Sequence, residues 1–249
     1  MILRIFFLLL MFSPFTASAE ANPELWPYVK ERLFQDRVIN EADFLTISGP
    51  RRASSGAQVP VTIKLDTPKN IEMKNVFLII DANPTQLAAT YQLSKHSQEL
   101  DLSTRIRMET DSFVRVVGED GNGKLYMSAI AIRASGGCSG YMDVHDPELT
   151  TDLGKILAKT KDRFLTTRIK HPNFTGLQKD LDSGGYIPRW IVEEIIYVSN
   201  EEVLLVAKNR ISMSQDPYLK FKINSGTKES INIMVRDTKG NGFTKDISI

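Results

Sequence analysis

The seven residues VPVTIKL, at 59–65, put Val59, Val61, Ile63 and Leu65 on every second position. A period of two is that of a strand with one face buried and one face wet. VFLIID (76–81) is instead a continuous apolar run, the pattern of a strand covered on both faces. ATYQL, TRIRME, FVRVVGE and KLYMSAIAIRA follow, separated by Asp, Asn, Pro, Ser and Gly. Beyond residue 162 the pattern resumes in FLTTRIKH, WIVEEIIYV, VLLVA, YLKFKIN, SINIMVR and FTKDISI. Short strands at near-regular spacing with turn residues between them predict β-sandwiches.

Two stretches break the pattern. Residues 24–35 carry Leu25, Val29, Leu33 and Phe34 near helical spacing, which predicts a short amphipathic helix. DPELTTDLGKILAKTKDR (146–163) also reads as helical, with Asp146-Pro147 at its start, so 139–162 is expected to be a partly helical linker. The flanking halves share a weak repeat. Aligning Asp120 with Asp237 puts Gly123 on Gly240, Ile130 on Ile247 and Ile132 on Ile249. Asn83-Pro84 before ATYQL resembles Asp216-Pro217 before YLKFKI. Hairpins in general share such turns, so the repeat alone leaves two readings open: related domains, or similar turns.

The chain has 31 Lys+Arg against 30 Asp+Glu with no basic block, which argues against a nucleic-acid partner. Its start differs from the rest: Arg4, an apolar run from Ile5 to Phe12, then Thr16-Ala17-Ser18-Ala19. The run is too short to span a bilayer, and the small residues suit a signal peptidase. Residues 1–19 are therefore expected to be a secretory signal, and the mature chain to be exported and without a membrane span.

Export makes Cys138 informative, because it is the only cysteine. An odd thiol in an oxidising compartment points to reactivity or intermolecular bonding. Its surroundings, Gly136, Gly137, Ser139 and Gly140, predict an exposed flexible arm with no packing surface, from which four or five residues reach roughly 15 Å. Arg133 is the nearest cation in sequence. Catalysis by Cys138 and His145 would need a preorganised hydrogen bond, which a Gly-rich segment supplies poorly. A metal site from Cys138, His145 and His96 or His171 lacks motif spacing. Asn173-Phe174-Thr175 fits a glycosylation sequon, and GNG at 121–123 and 240–242 fits hairpin turns better than a phosphate loop. Trp26 and Trp190 are expected in the core, Trp190 opening a long strand.

The first half resembles the SoxY subunit of the SoxYZ sulfur-substrate carrier, through LWPYVKERLFQDRVI, VPVTIKL, IIDANPTQLAATYQL, TRIRMETDSFVRVV and the ending SGGC. The second half resembles SoxZ, through IKHPNFTGLQKD, GGYIPRWIVEEI, ISMSQDPYLKFKI and DTKGNGF. Both in one chain is similar to the fused SoxYZ-like carriers associated with quinoprotein dehydrogenases. The separate SoxY arm ends the chain as Gly-Gly-Cys-Gly-Gly. Here it reads Gly136-Gly137-Cys138-Ser139-Gly140 and runs on, tethered at both ends.

The resemblance implies an all-β chain of two immunoglobulin-like β-sandwich domains in tandem. Residues 24–138 form the SoxY-like domain ending in the arm, 139–162 the linker and 163–249 the SoxZ-like domain. It implies a carrier, not an enzyme, with a sulfur species held covalently on Cys138 for Sox-type thiosulfate-oxidation partners, and neither metal nor cofactor. The alternative is a non-covalent accessory or assembly module for a periplasmic quinoprotein (PQQ) dehydrogenase.

Overall fold

A computed structural model describes residues 21–223 and 230–248; the expected signal, residues 1–19, and Ile249 of the repeat lie outside them. The first half has helix α1 (Leu25–Phe34) and strands β1 (Ile39–Glu41), β2 (Leu45–Ser48), β3 (Val59–Asp66), β4 (Met73–Ile80), β5 (Leu87–Leu93), β6 (Glu99–Ile106), β7 (Ser112–Asp120) and β8 (Leu125–Ile132). After β9 (Gly140–Met142) come β10 (Ile156–Lys161), β11 (Phe164–Ile169), β12 (Gln178–Asp180), β13 (Val192–Ser199), β14 (Glu202–Asn209), β15 (Tyr218–Lys222), β16 (Ser230–Asp237) and β17 (Gly242–Ser248). The all-β expectation holds, with α1 where the 24–35 spacing put it. No helix among the described residues is long and apolar enough to cross a membrane.

Each half is a two-sheet, immunoglobulin-like sandwich, and both sheets run on from one half into the other. One sheet has the order β1-β8-β7-β4-β5-β14-β13-β16-β17, the other β10-β11-β15-β6-β3-β2. Apart from β1 these orders are palindromic: β4–β5 corresponds to β13–β14, β7–β8 to β16–β17 and β3–β6 to β11–β15. The halves therefore meet as a pseudo-two-fold pair, like strand beside like strand and antiparallel. Leu93 faces Leu205 and Tyr91 faces Ala207 across β5 and β14, and Leu102 faces Phe221 across β6 and β15. This pairing consumes strand edges that would otherwise stand open. It also gives a single apolar core that runs from Leu45 to Val235. Tyr91 and Tyr197 are fully buried within it.

The apolar run of β4 is explained by its two covered faces. Val76, Leu78 and Ile80 join the inter-sheet core, while Ile79 packs with Val117 and Leu125 beneath Val29 and Phe34 of α1.

The repeat centred on Asp120 and Asp237 is structural. Asp120 Oδ1 accepts from the backbone N–H of Asn122 and Lys124 at 2.9 and 2.8 Å; Asp237 Oδ1 accepts from Lys239 and Asn241 at 2.8 and 2.9 Å. Gly123 (φ +79°) and Gly240 (φ +84°) close the two turns in the left-handed region. The second proposed match is not structural. Asn83-Pro84 precedes β5, whereas Asp216-Pro217 precedes β15, the counterpart of β6, so the resemblance is one of turn chemistry.

The helical reading of the linker is corrected. Only Pro147–Leu149 forms a 3-10 turn, capped by Asp146 Oδ1 on Glu148 N at 2.9 Å. Gly154 (φ +76°) ends any continuation, and a Cβ there would fall 2.0 Å from the Phe243 ring. Ile156–Lys161, assigned to the linker, is β10, paired with β11. Asp162 and Arg163 (φ 51° and 65°) make the tight hairpin turn between them, which favours β over helix here. Trp190 does not open β13 either: it bridges to Phe174, and the strand starts at Val192.

Candidate functional site

The segment around Cys138 is bound down along its length. β6 ends at Ile106, and Arg107, Met108 and Glu109 continue past it along the arm. Gly136 N and Gly137 N donate to the carbonyls of Glu109 and Met108 at 2.9 and 3.0 Å. Glu109 then clasps the next two residues: its Oε2 accepts from Cys138 N at 2.8 Å and Ser139 N at 3.1 Å, and its Oε1 meets Ser139 Oγ. From the second half, Thr175 Oγ1 donates to Cys138 O at 2.7 Å. Past Gly140 the chain enters β9, which pairs in parallel with β12.

The exposed thiol and free arm expected from the glycines are thereby overturned. Cys138 is 0% exposed. Gly137 is glycine for close approach, because a Cβ there would stand 2.1 Å from the Gly56 carbonyl oxygen. Gly56 likewise could carry no Cβ, which would lie 2.2 Å from Ser135 O. Gly136 (φ +68°) and Gly140 (φ +119°) have open space and need glycine for their backbone angles.

Arg107 lies beneath the arm and joins the halves. Its Nη1 donates to Gly137 O at 3.1 Å, Nη2 to Asn173 O at 3.3 Å and Nε to Met213 O at 3.2 Å. Burial lowers its pKa, opposed by the charge of an ionised Cys138. The thiol itself is pushed up to about 12, by burial first and the Glu109 carboxylate second, with Arg107 opposing. A docked Cys138 is accordingly a neutral thiol at pH 7, and a poor nucleophile. Arg133, the cation closest in sequence, instead faces Asp111.

Asn173 organises the second-half wall. Its Nδ2 donates to Met213 O and Ser214 O, and its Oδ1 accepts from Val192 N. It is buried with both amide ends used, so the sequon asparagine is a structural residue of the folded chain. His171, also fully buried, accepts on Nδ1 from Asn173 N at 3.0 Å and packs edge-on against Trp190 at 5.0 Å. Its Nε2 is 3.5 Å from Asp237 Oδ2 without hydrogen-bond geometry. Trp190 Nε1 donates to that oxygen at 2.8 Å, which explains the burial expected for this tryptophan. Trp26 is only partly buried and covers the Arg115 guanidinium, 4.3 Å from its ring centre.

Burial drives the His171 pKa down to about 4, reinforced by Lys239 and opposed by Asp237 and Asp216. The unfolded chain, with an ordinary histidine near 6.5, takes up the proton first. The neutral ring therefore stabilises the fold in full above pH 6.5, and this is lost as pH falls from 6.5 through 4. The loss expected is up to about 3 kcal/mol. Urea unfolding at pH 7, 5.5 and 4 checks it, and His171→Gln should flatten that pH slope.

The other histidines stand apart from the thiol. The His145 side chain is 75% exposed, with Nε2 4.0 Å from Asp182, and His96 meets Glu202. Among the described residues no three His, Cys, Asp or Glu side chains group as a metal site. Sequence reasoning missed Arg107, Glu109, Thr175 and Gly56. Arg105, Arg107 and Glu109 alternate like a wet strand face, and only the junction of the halves turns Arg107 inward.

Residues 30–138 match the family model of the sulfur oxidation protein SoxY, and residues 158–248 match that of the sulphur oxidation protein SoxZ. The SoxY match thus ends on Cys138. Among solved structures the chain is similar to the sulfur carrier protein SoxY from Chlorobium limicola f thiosulfatophilum. Identity is 25% over 45% of this chain and 92% of that one, with a TM-score of 0.38. No curated protein matches the chain.

Proposed function

The chain belongs to the SoxY and SoxZ families, joined in one polypeptide, and on that footing we propose that it is a periplasmic carrier holding a sulfur species covalently on Cys138. The observation that carries the reading is the place of the single cysteine. It closes the SoxY-matched segment and is held there by Glu109 from one half and Thr175 from the other. A thiol pushed up to about 12 is protected from chance oxidation while docked. Undocking returns it toward an ordinary pKa of about 8.5, where it is able to react. Joining Sγ to the sulfur of a reduced compound such as thiosulfate removes one proton and two electrons. The loading partner is therefore an oxidising Sox-type enzyme, and the carrier itself turns nothing over.

Reach follows from the tethers. Cys138 lies two residues before Gly140, the first residue of β9. With β9 in place the thiol travels at most roughly 7 Å from that anchor, not 15 Å. Longer excursions need the three-residue pairing of β9 with β12 to open.

The intact mass of protein isolated without reductant from sulfur-oxidising cells tests the reading. The expected result is a sulfur adduct that thiol reductant removes and that Cys138→Ser abolishes. A bare chain throughout would reject covalent carriage and favour the accessory role beside a quinoprotein dehydrogenase, in which the buried thiol is a packing residue.

A further inference from the structure

At the root of the arm is a small polar cavity, about 160 Å³, lined by Arg52, Ser54, Ser55, Asp111, Arg133 and Ser135 among others. Arg52 and Arg133 are bridge partners on adjacent parallel segments, and both line the cavity. Like charges placed opposite one another in a sheet are destabilising. One carboxylate answers them. Asp111 Oδ2 is 3.5 Å from Arg133 Nε, and its Oδ1 is taken by Ala134 N at 2.8 Å. Arg133 Nε is buried, yet it has no hydrogen-bond partner. Among the described residues no carboxylate is within ion-pair reach of Arg52. A buried donor without a hydrogen bond is costly and calls for an explanation, and an acceptor bound in the cavity would supply one.

We propose that this cavity binds a small tetrahedral oxyanion of the sulfate and thiosulfate class. Guanidinium forks suit such oxygens, and the hydroxyls of Ser54 and Ser55 add neutral donors. The placement links it to the arm. Gly56, on the cavity wall, accepts from Met108 N at 2.8 Å and is the residue against which Gly137 is packed. An anion held here stands beside the segment that carries the thiol, without being attached to it.

Calorimetric titration of the intact reduced chain with sodium thiosulfate, sulfate and phosphate, at constant ionic strength set by chloride, tests the site. Saturable binding of the divalent oxyanions is expected, at least tenfold weaker in Arg52→Ala, an exposed position whose loss leaves the fold intact. Arg133→Gln should weaken it similarly, with melting curves confirming that both variants fold. Absence of saturable binding, or equal binding by wild type and Arg52→Ala, would overturn the proposal. No cargo on Cys138 is needed, so this outcome is separate from the fate of the carrier reading.

Discussion

Replacing Glu109 with alanine is expected to speed alkylation of Cys138 in the folded protein by about 10- to 150-fold. The Glu109 carboxylate accepts from Cys138 N and Ser139 N and meets Ser139 Oγ. Hydrogen bonds to a charged group contribute about 1.5–3 kcal/mol, and each 1.4 kcal/mol is about tenfold in the undocked population. Removing the carboxylate also removes the second cause of the raised thiol pKa. A thiol reagent under native conditions, followed by mass, reads the rate, with the urea-unfolded chain giving the intrinsic value. An unchanged rate would mean that something other than the clasp keeps the thiol in.

The same measurement has a pH signature. The docked thiol is pushed up to about 12, while an undocked one stands near 8.5. A raised pKa means the docked form keeps its proton. Docking is therefore at full strength below about 8.5 and weakens as pH rises from there toward 12. Undocking should grow by about tenfold per pH unit in that window, over and above the rise expected from thiolate content alone.

The strands were legible from residue types because each has a face to bury. Val59, Val61, Ile63 and Leu65 are all buried on β3, and the continuous run of β4 is covered by the second sheet and by α1. The Asp120 and Asp237 hairpins were legible because their turn chemistry is local. What failed was the linker and the arm. ILAKTK pairs with the next strand across the Asp162-Arg163 turn, yet its residues also fit a helical reading of 146–163 in which only Gly154 objects. The arm failed for a related reason. A glycine that frees the backbone and a glycine that lets two backbones touch look alike in sequence. Only Gly56, eighty-one residues upstream and unremarkable there, decides that Gly137 is the second kind.

Arg107 is where the two halves and the arm depend on one another, and Arg107→Met is expected to cost about 3–5 kcal/mol of stability. Methionine keeps most of the apolar stem but deletes the donors to Gly137 O, Asn173 O and Met213 O. Gly137 O and Asn173 O are left stranded at about 1–3 kcal/mol each, while Met213 O keeps Asn173 Nδ2, and relief from burying a cation returns part of the cost. Burial already lowers the Arg107 pKa, so that relief is real and keeps the total below the simple sum. Urea unfolding of the variant beside Arg105→Met, a half-buried arginine whose Nη1 reaches Gln58 at 3.1 Å and whose guanidinium lies 5.2 Å from the Tyr218 ring centre, isolates the effect. The control should shift by no more than about 1 kcal/mol, the size of a solvent-accessible cation–π contact. A loss below that value for Arg107→Met would show the arm and the Asn173 wall to be held without it. The variant should also free the arm, since Gly137 loses its anchor one residue before the thiol. Faster Cys138 alkylation in the still-folded variant would therefore accompany the lower stability.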